Sequence, residues 1–204
     1  MPIRPPGFPD WETLYDELPA STMPWFHAAL DPDLEAALQE RGVTGGRALD
    51  LGTGPGTQAV ELAARGFHVT ATDISRAAVA GARELAAARG VAVEFLVDDV
   101  LASRLTGRFD LVVDRGCFHV MDPADRPAYV ATVAALLPPG GLLLLKTFSK
   151  LQPEGPGPHR FSIVELCEVF AGAFDLCSAH ETIYHGQLAT PPRALFSVFE
   201  RREP

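Results

Sequence analysis

A chain of 204 residues with 47% hydrophobic and 21% charged residues has the composition of one globular domain, long enough to bury a sizeable core. Its net charge of −9 argues against a nucleic-acid backbone or an anionic membrane as the main partner, and it suits a small neutral or cationic ligand. The cysteines, Cys117, Cys167 and Cys177, are odd in number and lack C-x-x-C spacing, so neither a disulfide framework nor a zinc knuckle is indicated.

Met1 to Pro9 is Pro-rich and has no apolar stretch of the kind a signal peptide needs. Leu142 to Leu145, the longest leucine run, is too short to cross a bilayer. A cytoplasmic protein is expected. "DWETLYDEL" (10–18) sets Trp11, Leu14, Tyr15 and Leu18 at helical spacing. "DPDLEAALQERG" (31–42) predicts a better-marked helix, with Asp31 as cap, Pro32 in the first turn and Gly42 at the end.

From Arg47 onward, apolar strands alternate with helical patterns. "RALDL" is a strand and "TQAVELAARG" a helix closed by Gly66. "FHVTATD" is a second strand, followed by "SRAAVAGARELAAARG", capped by Ser75 and closed by Gly90. Then come strands "VAVEFLVDD" and "FDLVVD", helix "RPAYVATVAALL" and strand "GLLLLKTF". Strands separated by single helices imply parallel βαβ units with right-handed crossovers. The ending differs: "SIVELCEVFAG" opens with a Ser162-x-x-Glu165 capping box. It leads into "FDLCSAHETIYHG" (174–186) and "RALFSVFERR" (193–202), two strand-like runs too close together for a helix, hence an antiparallel hairpin. The expected fold is α/β: a doubly wound, Rossmann-like, mostly parallel sheet of seven strands, with a terminal antiparallel hairpin strand and helices on both faces. One domain over residues 1–204 is expected. Its parts are an N-terminal segment (1–46), a ligand-binding core (47–150) and a final loop, helix and hairpin (151–204).

"ALDLGTGPGTQAVELAARG" (48–66) places Gly52, Gly54 and Gly56 between the first strand and its helix, just after Asp50. Three glycines so close together indicate left-handed dihedrals or a closely approaching ligand; the alternative is a tight turn with nothing bound. In such a sheet, ligands bind beyond the carboxyl ends of the strands at the switch point, where this turn lies. A dinucleotide fingerprint wants G-x-G-x-x-G, and here Thr57 stands where its third glycine would be. Asp73 ends the second strand about twenty residues on, where a carboxylate can accept both ribose hydroxyls. Asp98 and Asp99 end the third strand, either beside an adenine or as a solvated strand end.

At these residues the chain resembles the class I S-adenosylmethionine-dependent methyltransferases, from about Arg47 to Phe148. "ALDLGTGPG" looks like their first motif, "VTATD" their ribose-binding strand end and "VDDV" their adenine-binding turn. "FDLVVDRG" and "LLPPGGLLLLK" look like the fourth strand and the turn into the fifth. A narrower resemblance, carried by "MPWFHAALDPDLEAAL", "DRGCFH", "PADRPAYV" and "GPGPHRFSIVELCEVF", is to the small-molecule branch holding thiopurine and tellurite-resistance methyltransferases. What the resemblance implies is S-adenosylmethionine held by Asp50, Gly52, Gly54, Gly56, Asp73, Ile74, Asp98, Asp99, Val100, Asp114 and Arg115, with Trp25 and Phe26 in a covering N-terminal segment. Arg115 would lie between cofactor and substrate, and the Gly155 to Arg160 loop would border the substrate pocket. "CFH" departs from the plainer apolar residues that often follow D-R-G in that branch.

Trp11, Tyr15, Trp25, Phe26, Phe118 and Phe148 could together wall a largely apolar acceptor pocket, with Arg115 and His119 as its few polar groups. His159 and Arg160 either lie over the substrate or are solvated loop residues. Arg115 could bind a carboxylate through its planar fork, or form a surface ion pair with Asp114 or Asp122. His119 is a candidate general base, or a packed histidine; Cys117 is expected to pack rather than react. No histidine spacing indicates a metal site. The expected activity is methylation of a small acceptor at sulfur or selenium. The alternatives are oxygen or nitrogen methylation with His119 as base, a non-methyl reaction such as a cyclisation, and an effector-binding protein on the same scaffold. A monomer or homodimer is expected.

Overall fold

A computed structural model describes residues 10–203, so the reading of Met1 to Pro9 lies outside the described residues. Two helices, α1 (Trp11–Glu17) and α2 (Pro32–Glu40), precede β1 (Gly46–Leu51). Then follow α3 (Thr57–Ala64), β2 (Phe67–Asp73), α4 (Arg76–Arg89), β3 (Val93–Val97), β4 (Leu111–Arg115), α5 (Arg126–Leu136) and β5 (Leu142–Ser149). The chain ends with β6 (Arg160–Phe161), α6 (Ile163–Phe170), β7 (Phe174–Ile183) and β8 (Arg193–Arg201).

The helix ends follow their local chemistry. Asp31 accepts from the Asp33 N–H and Ser75 from the Ala78 N–H, while Gly90 closes α4 in the left-handed conformation. Both halves of the Ser162–Glu165 capping box form.

The sheet order is β3-β2-β1-β4-β5-β8-β7. Strands β1 to β5 run parallel, and β8 lies antiparallel between β5 and β7. The two-residue β6 adds a short parallel pairing at the end of β5, a strand the sequence reading did not include. One face is covered by α2, α3 and α4 through Leu34, Leu38, Val60, Leu62, Val79 and Ala82. The other is covered by α5 and α6 through Tyr129, Val133, Leu166 and Phe170. Each of the larger aliphatic and aromatic side chains among these contributes about 1.5–3 kcal/mol by leaving water. Chain order reverses between β1 and β4, so a crevice opens beyond their carboxyl ends. The candidate site is there.

Among the described residues, no helix is long and apolar enough to cross a membrane.

Candidate active site

Gly52, Gly54 and Gly56 all have positive φ, at 62°, 48° and 78°. Each also meets a neighbour that a side chain would strike. A Cβ on Gly52 would stand 2.8 Å from Cys117 Cβ, and one on Gly54 would stand 2.5 Å from the Tyr15 hydroxyl. Gly56 differs from the sequence reading: its Cβ would lie 2.6 Å from Ala82 Cβ, so it lets α3 close against α4 and does not line the cavity.

A cavity of about 460 Å³ runs from this turn across the carboxyl ends of the strands. One half is bounded by Asp50, Gly52, Gly54, Asp73, Ile74, Asp98, Asp99 and Val100. Asp73 is held by two backbone donors: Gly54 N–H to Oδ2 at 2.8 Å and Ser75 N–H to Oδ1 at 2.9 Å. Each oxygen keeps a second lone pair for a ligand hydroxyl. Burial raises its pKa above the ordinary value, against the pull of those amides. Asp98 accepts from the Ser103 hydroxyl at 2.6 Å, and Asp99 accepts from Leu101 N–H at 3.0 Å. They shape their turn as well as bordering the cavity.

The N-terminal segment covers this half. Trp25 Nε1 donates to the Tyr15 hydroxyl at 3.1 Å, and the rings of Trp11 and Trp25 meet edge-on at 6.0 Å. All three line the cavity; Phe26 does not. Glu12, which sequence reasoning missed, accepts from the Ser75 hydroxyl at 2.8 Å and from Arg76 N–H at 2.6 Å. That carboxylate fastens α1 to the positive N-terminus of α4.

The other half holds three of the expected groups and rearranges the rest. Arg115 pairs with neither Asp114 nor Asp122. Its Nε donates to Asp31 at 2.7 Å, Nη1 donates to the Trp25 carbonyl at 3.0 Å, and Nη2 donates to the His185 carbonyl. Asp114 is fully buried and does not reach the cavity, contrary to its expected cofactor role. It accepts instead from Gly116, Cys117 and Phe118 N–H and from the Tyr129 hydroxyl. Phe118 is no pocket wall: its fully buried ring packs among Tyr129, Phe161 and Phe170. His159 and Arg160 do not line the cavity either; Arg160 donates to the Pro153 and Gly155 carbonyls and folds the loop whose Pro156, Gly157 and Pro158 do.

His119 and Phe148 face the cavity with Tyr184, a residue the sequence reading did not single out. The His119 ring stacks on Tyr184 at 5.6 Å and meets Phe148 edge-on at 5.2 Å. Its Nδ1 accepts from the Phe148 N–H at 3.1 Å, so the neutral ring carries its proton on Nε2. Burial, reinforced by Arg115, pushes its pKa down to about 3. Cys117 also lines the cavity, and burial among carboxylates raises its pKa well above the ordinary value, which keeps the thiol protonated. Among the described residues, no three His, Cys, Asp or Glu side chains cluster to hold a metal ion.

A sequence-family model described as a methyltransferase domain matches residues 48–141. The chain is 33% identical over 156 residues to a 2-heptyl-1-hydroxyquinolin-4(1H)-one methyltransferase of Mycobacteroides abscessus, covering 74% of this chain and 67% of that relative. The chain belongs to the class I S-adenosylmethionine-dependent methyltransferases. It acts on a small molecule, with S-adenosylmethionine as its cofactor. A probable thiol methyltransferase 2 of Arabidopsis thaliana is 28% identical over 186 residues, covering 90% of this chain and 79% of that one. A solved structure described under the conversion of a disulfide bond into a thioacetal group during echinomycin biosynthesis matches with a TM-score of 0.77 and 28% identity. That match covers 88% of this chain and 85% of the other.

Proposed function

We propose that this methyltransferase methylates the sulfur or selenium of a small thiol-like acceptor. When bound, S-adenosylmethionine supplies a methyl group already activated on a sulfonium. The protein's task is therefore alignment of acceptor, methyl carbon and leaving sulfur, which can account for most of the barrier reduction. Asp73 suits the ribose diol because two amides aim its carboxylate and each oxygen retains a free lone pair. Ile74 and Val100, with Asp98 and Asp99 beside them, suit a flat, amine-bearing base. Tyr15 and Trp25 close over the glycine turn, and His119, Phe148 and Tyr184 border the acceptor.

The observation that carries the choice of acceptor atom is the state of His119. Its only basic nitrogen is occupied by the Phe148 amide, and burial keeps the ring neutral. A hydroxyl or amine acceptor would need a base at that place, whereas a thiolate or selenolate arrives already nucleophilic. The thiol methyltransferase relative supports the same reading.

The test is turnover with labelled S-adenosylmethionine against a panel of thiols, selenols, phenols and amines. On the best acceptor, His119→Ala should cost less than about tenfold in rate, because no proton is moved by that ring. A general base would cost about 10²–10⁴. A loss above about a hundredfold, in a variant that binds cofactor normally, would sink the thiol reading. For the cofactor itself, Asp73→Ala should weaken S-adenosylhomocysteine binding by about tenfold or more, since a charged acceptor for hydroxyl donors contributes about 1.5–3 kcal/mol. Calorimetry on the folded variant reads this directly, and an unchanged affinity removes Asp73 from the ribose site.

A further inference from the structure

Lys146 sits within the apolar run of β5, fully buried, and does not line the cavity. A buried ammonium is strongly unfavourable unless paired, so its partners identify its role. Nζ lies 2.7 and 2.8 Å from the two Asp31 oxygens and 2.6 Å from Asp33 Oδ2. Asp31 is also the partner of Arg115 Nε, and its backbone N–H donates to Gln58 Oε1 at 2.8 Å. Two cations and two carboxylates thus form a neutral cluster under the start of α2.

This cluster reaches the cavity wall through Arg115. The guanidinium holds the Trp25 carbonyl on one side and the His185 carbonyl on the other, while the Tyr184 hydroxyl donates to the Arg115 carbonyl at 2.6 Å. The same two segments clasp each other directly: Gln187 N–H donates to the Pro24 carbonyl at 2.9 Å and its side-chain amide to the Ser21 carbonyl at 2.8 Å. The cover's apolar anchor is Met23, 1% exposed, and the helical pieces before it add none. Helix α1 has seven residues and none is buried, and the single 3₁₀ turn Ala20–Thr22 buries none either. Such a short helix does not persist in water unaided. Beside Met23, polar fastenings hold it: Glu12 at one end, the Lys146 cluster at the other.

We infer that Lys146 is a positioning residue for methyl transfer, fixing Asp31 and through it Arg115, so that Trp25 and Tyr184 stand at set places around the bound reactants. This goes beyond the choice of acceptor atom and holds for any acceptor. Without the ammonium, Asp31 keeps only Arg115 as its cation, and Asp33 only the Thr182 hydroxyl and the His180 ring. The carboxylate-to-carboxylate link is lost, and the wall loosens while the sheet stays intact.

The chain's two tryptophans, Trp11 and Trp25, both lie in the cover, so selectively excited tryptophan fluorescence reports that segment alone. Lys146→Met, measured well below its melting temperature, should raise acrylamide quenching of tryptophan about twofold. It should also weaken S-adenosylhomocysteine binding about tenfold. Neither readout requires the acceptor to be known. Asp33→Asn, which removes one of the ammonium's partners and leaves Arg115 paired with Asp31, should shift both readings in the same direction by less, and it decides the matter if Lys146→Met does not fold. The double variant Lys146→Met with Asp33→Asn restores charge balance without the link. It should regain melting temperature yet keep raised quenching. A folded Lys146→Met with lowered melting temperature but unchanged quenching and affinity, or a double variant that restores both, would overturn the inference and leave Lys146 a structural residue only.

Discussion

Asp114→Ala is expected to lower folding stability by about 3–5 kcal/mol, through the loss of four hydrogen bonds at one buried carboxylate. Gly116, Cys117 and Phe118 N–H donate to it at 3.0, 2.8 and 2.9 Å, and the Tyr129 hydroxyl donates at 2.6 Å. Four donors on two oxygens suit the ionised, acceptor-only form. Burial alone raises its pKa strongly; the four donors pull it back, to about 6. Alanine would leave the amides of the turn that carries Cys117 and His119 without their acceptor. Asparagine keeps one acceptor oxygen and should cost less. Urea titration of both variants checks this, and an Asp114→Ala midpoint equal to the parent's would refute the account. The expected loss is one of fold, with cofactor affinity failing only as a consequence, because Asp114 does not reach the cavity.

Features decided within a few residues were legible in the sequence. Ser75, Gly90 and the Ser162–Glu165 pair act on neighbouring backbone, so their effect depends on local spacing alone. The alternation of strands and helices carried the parallel core, and the position of Asp73 at a strand end carried its place beside the glycine turn. The two-residue β6 has no periodicity to read. Adjacent residues in the 3₁₀ turn Phe118–Val120 point apart, so Phe118 enters the core while its neighbour His119 reaches the cavity. Phe118 is therefore not the pocket wall expected of it, whereas His119 faces the cavity.

Long-range pairings were not legible at all. Lys146 meets Asp31 across 115 positions and Arg115 meets it across 84, so no local pattern records either contact. The glycines were legible as special but not in their full cause. The turn needs positive φ, yet the space that a Cβ would fill is taken at Gly52 by Cys117, at Gly54 by Tyr15 and at Gly56 by Ala82. Close approach of protein is as much the reason for these residues as close approach of a ligand.

Asp50→Asn should make the cofactor-free protein more stable at alkaline pH. Asp50 lies at the carboxyl end of β1, 2% exposed, with the Thr53 hydroxyl donating to it at 2.6 Å. Burial is the main cause that raises its pKa to about 7, with Asp114 and Asp73 adding repulsion against the Thr53 hydrogen bond. The folded value stands above the ordinary 3.8, so the native state holds a proton that the unfolded chain has released. Its contribution is fully present below about pH 4 and is lost as pH rises through about 7. From 3.8 to about 7, the full loss is at most about 4 kcal/mol. His119 works in the opposite sense: its folded value near 3 means that stability falls as pH drops below its ordinary 6.5. That term is common to parent and variant and cancels between them. Urea titrations at about pH 5 and about pH 8 should therefore show the variant gaining about 2–4 kcal/mol on the parent between the two. An equal pH dependence in both proteins would contradict the placement of an ionising carboxyl at this position. The accompanying cost falls on the ligand, since a carboxylate bordering the cavity favours a cationic one. The variant should lose affinity for S-adenosylmethionine, which carries a sulfonium, by a larger factor than for S-adenosylhomocysteine, which does not. Calorimetry with the two ligands at about pH 8 measures that ratio, and equal losses would mean that Asp50 does not act on the sulfonium charge.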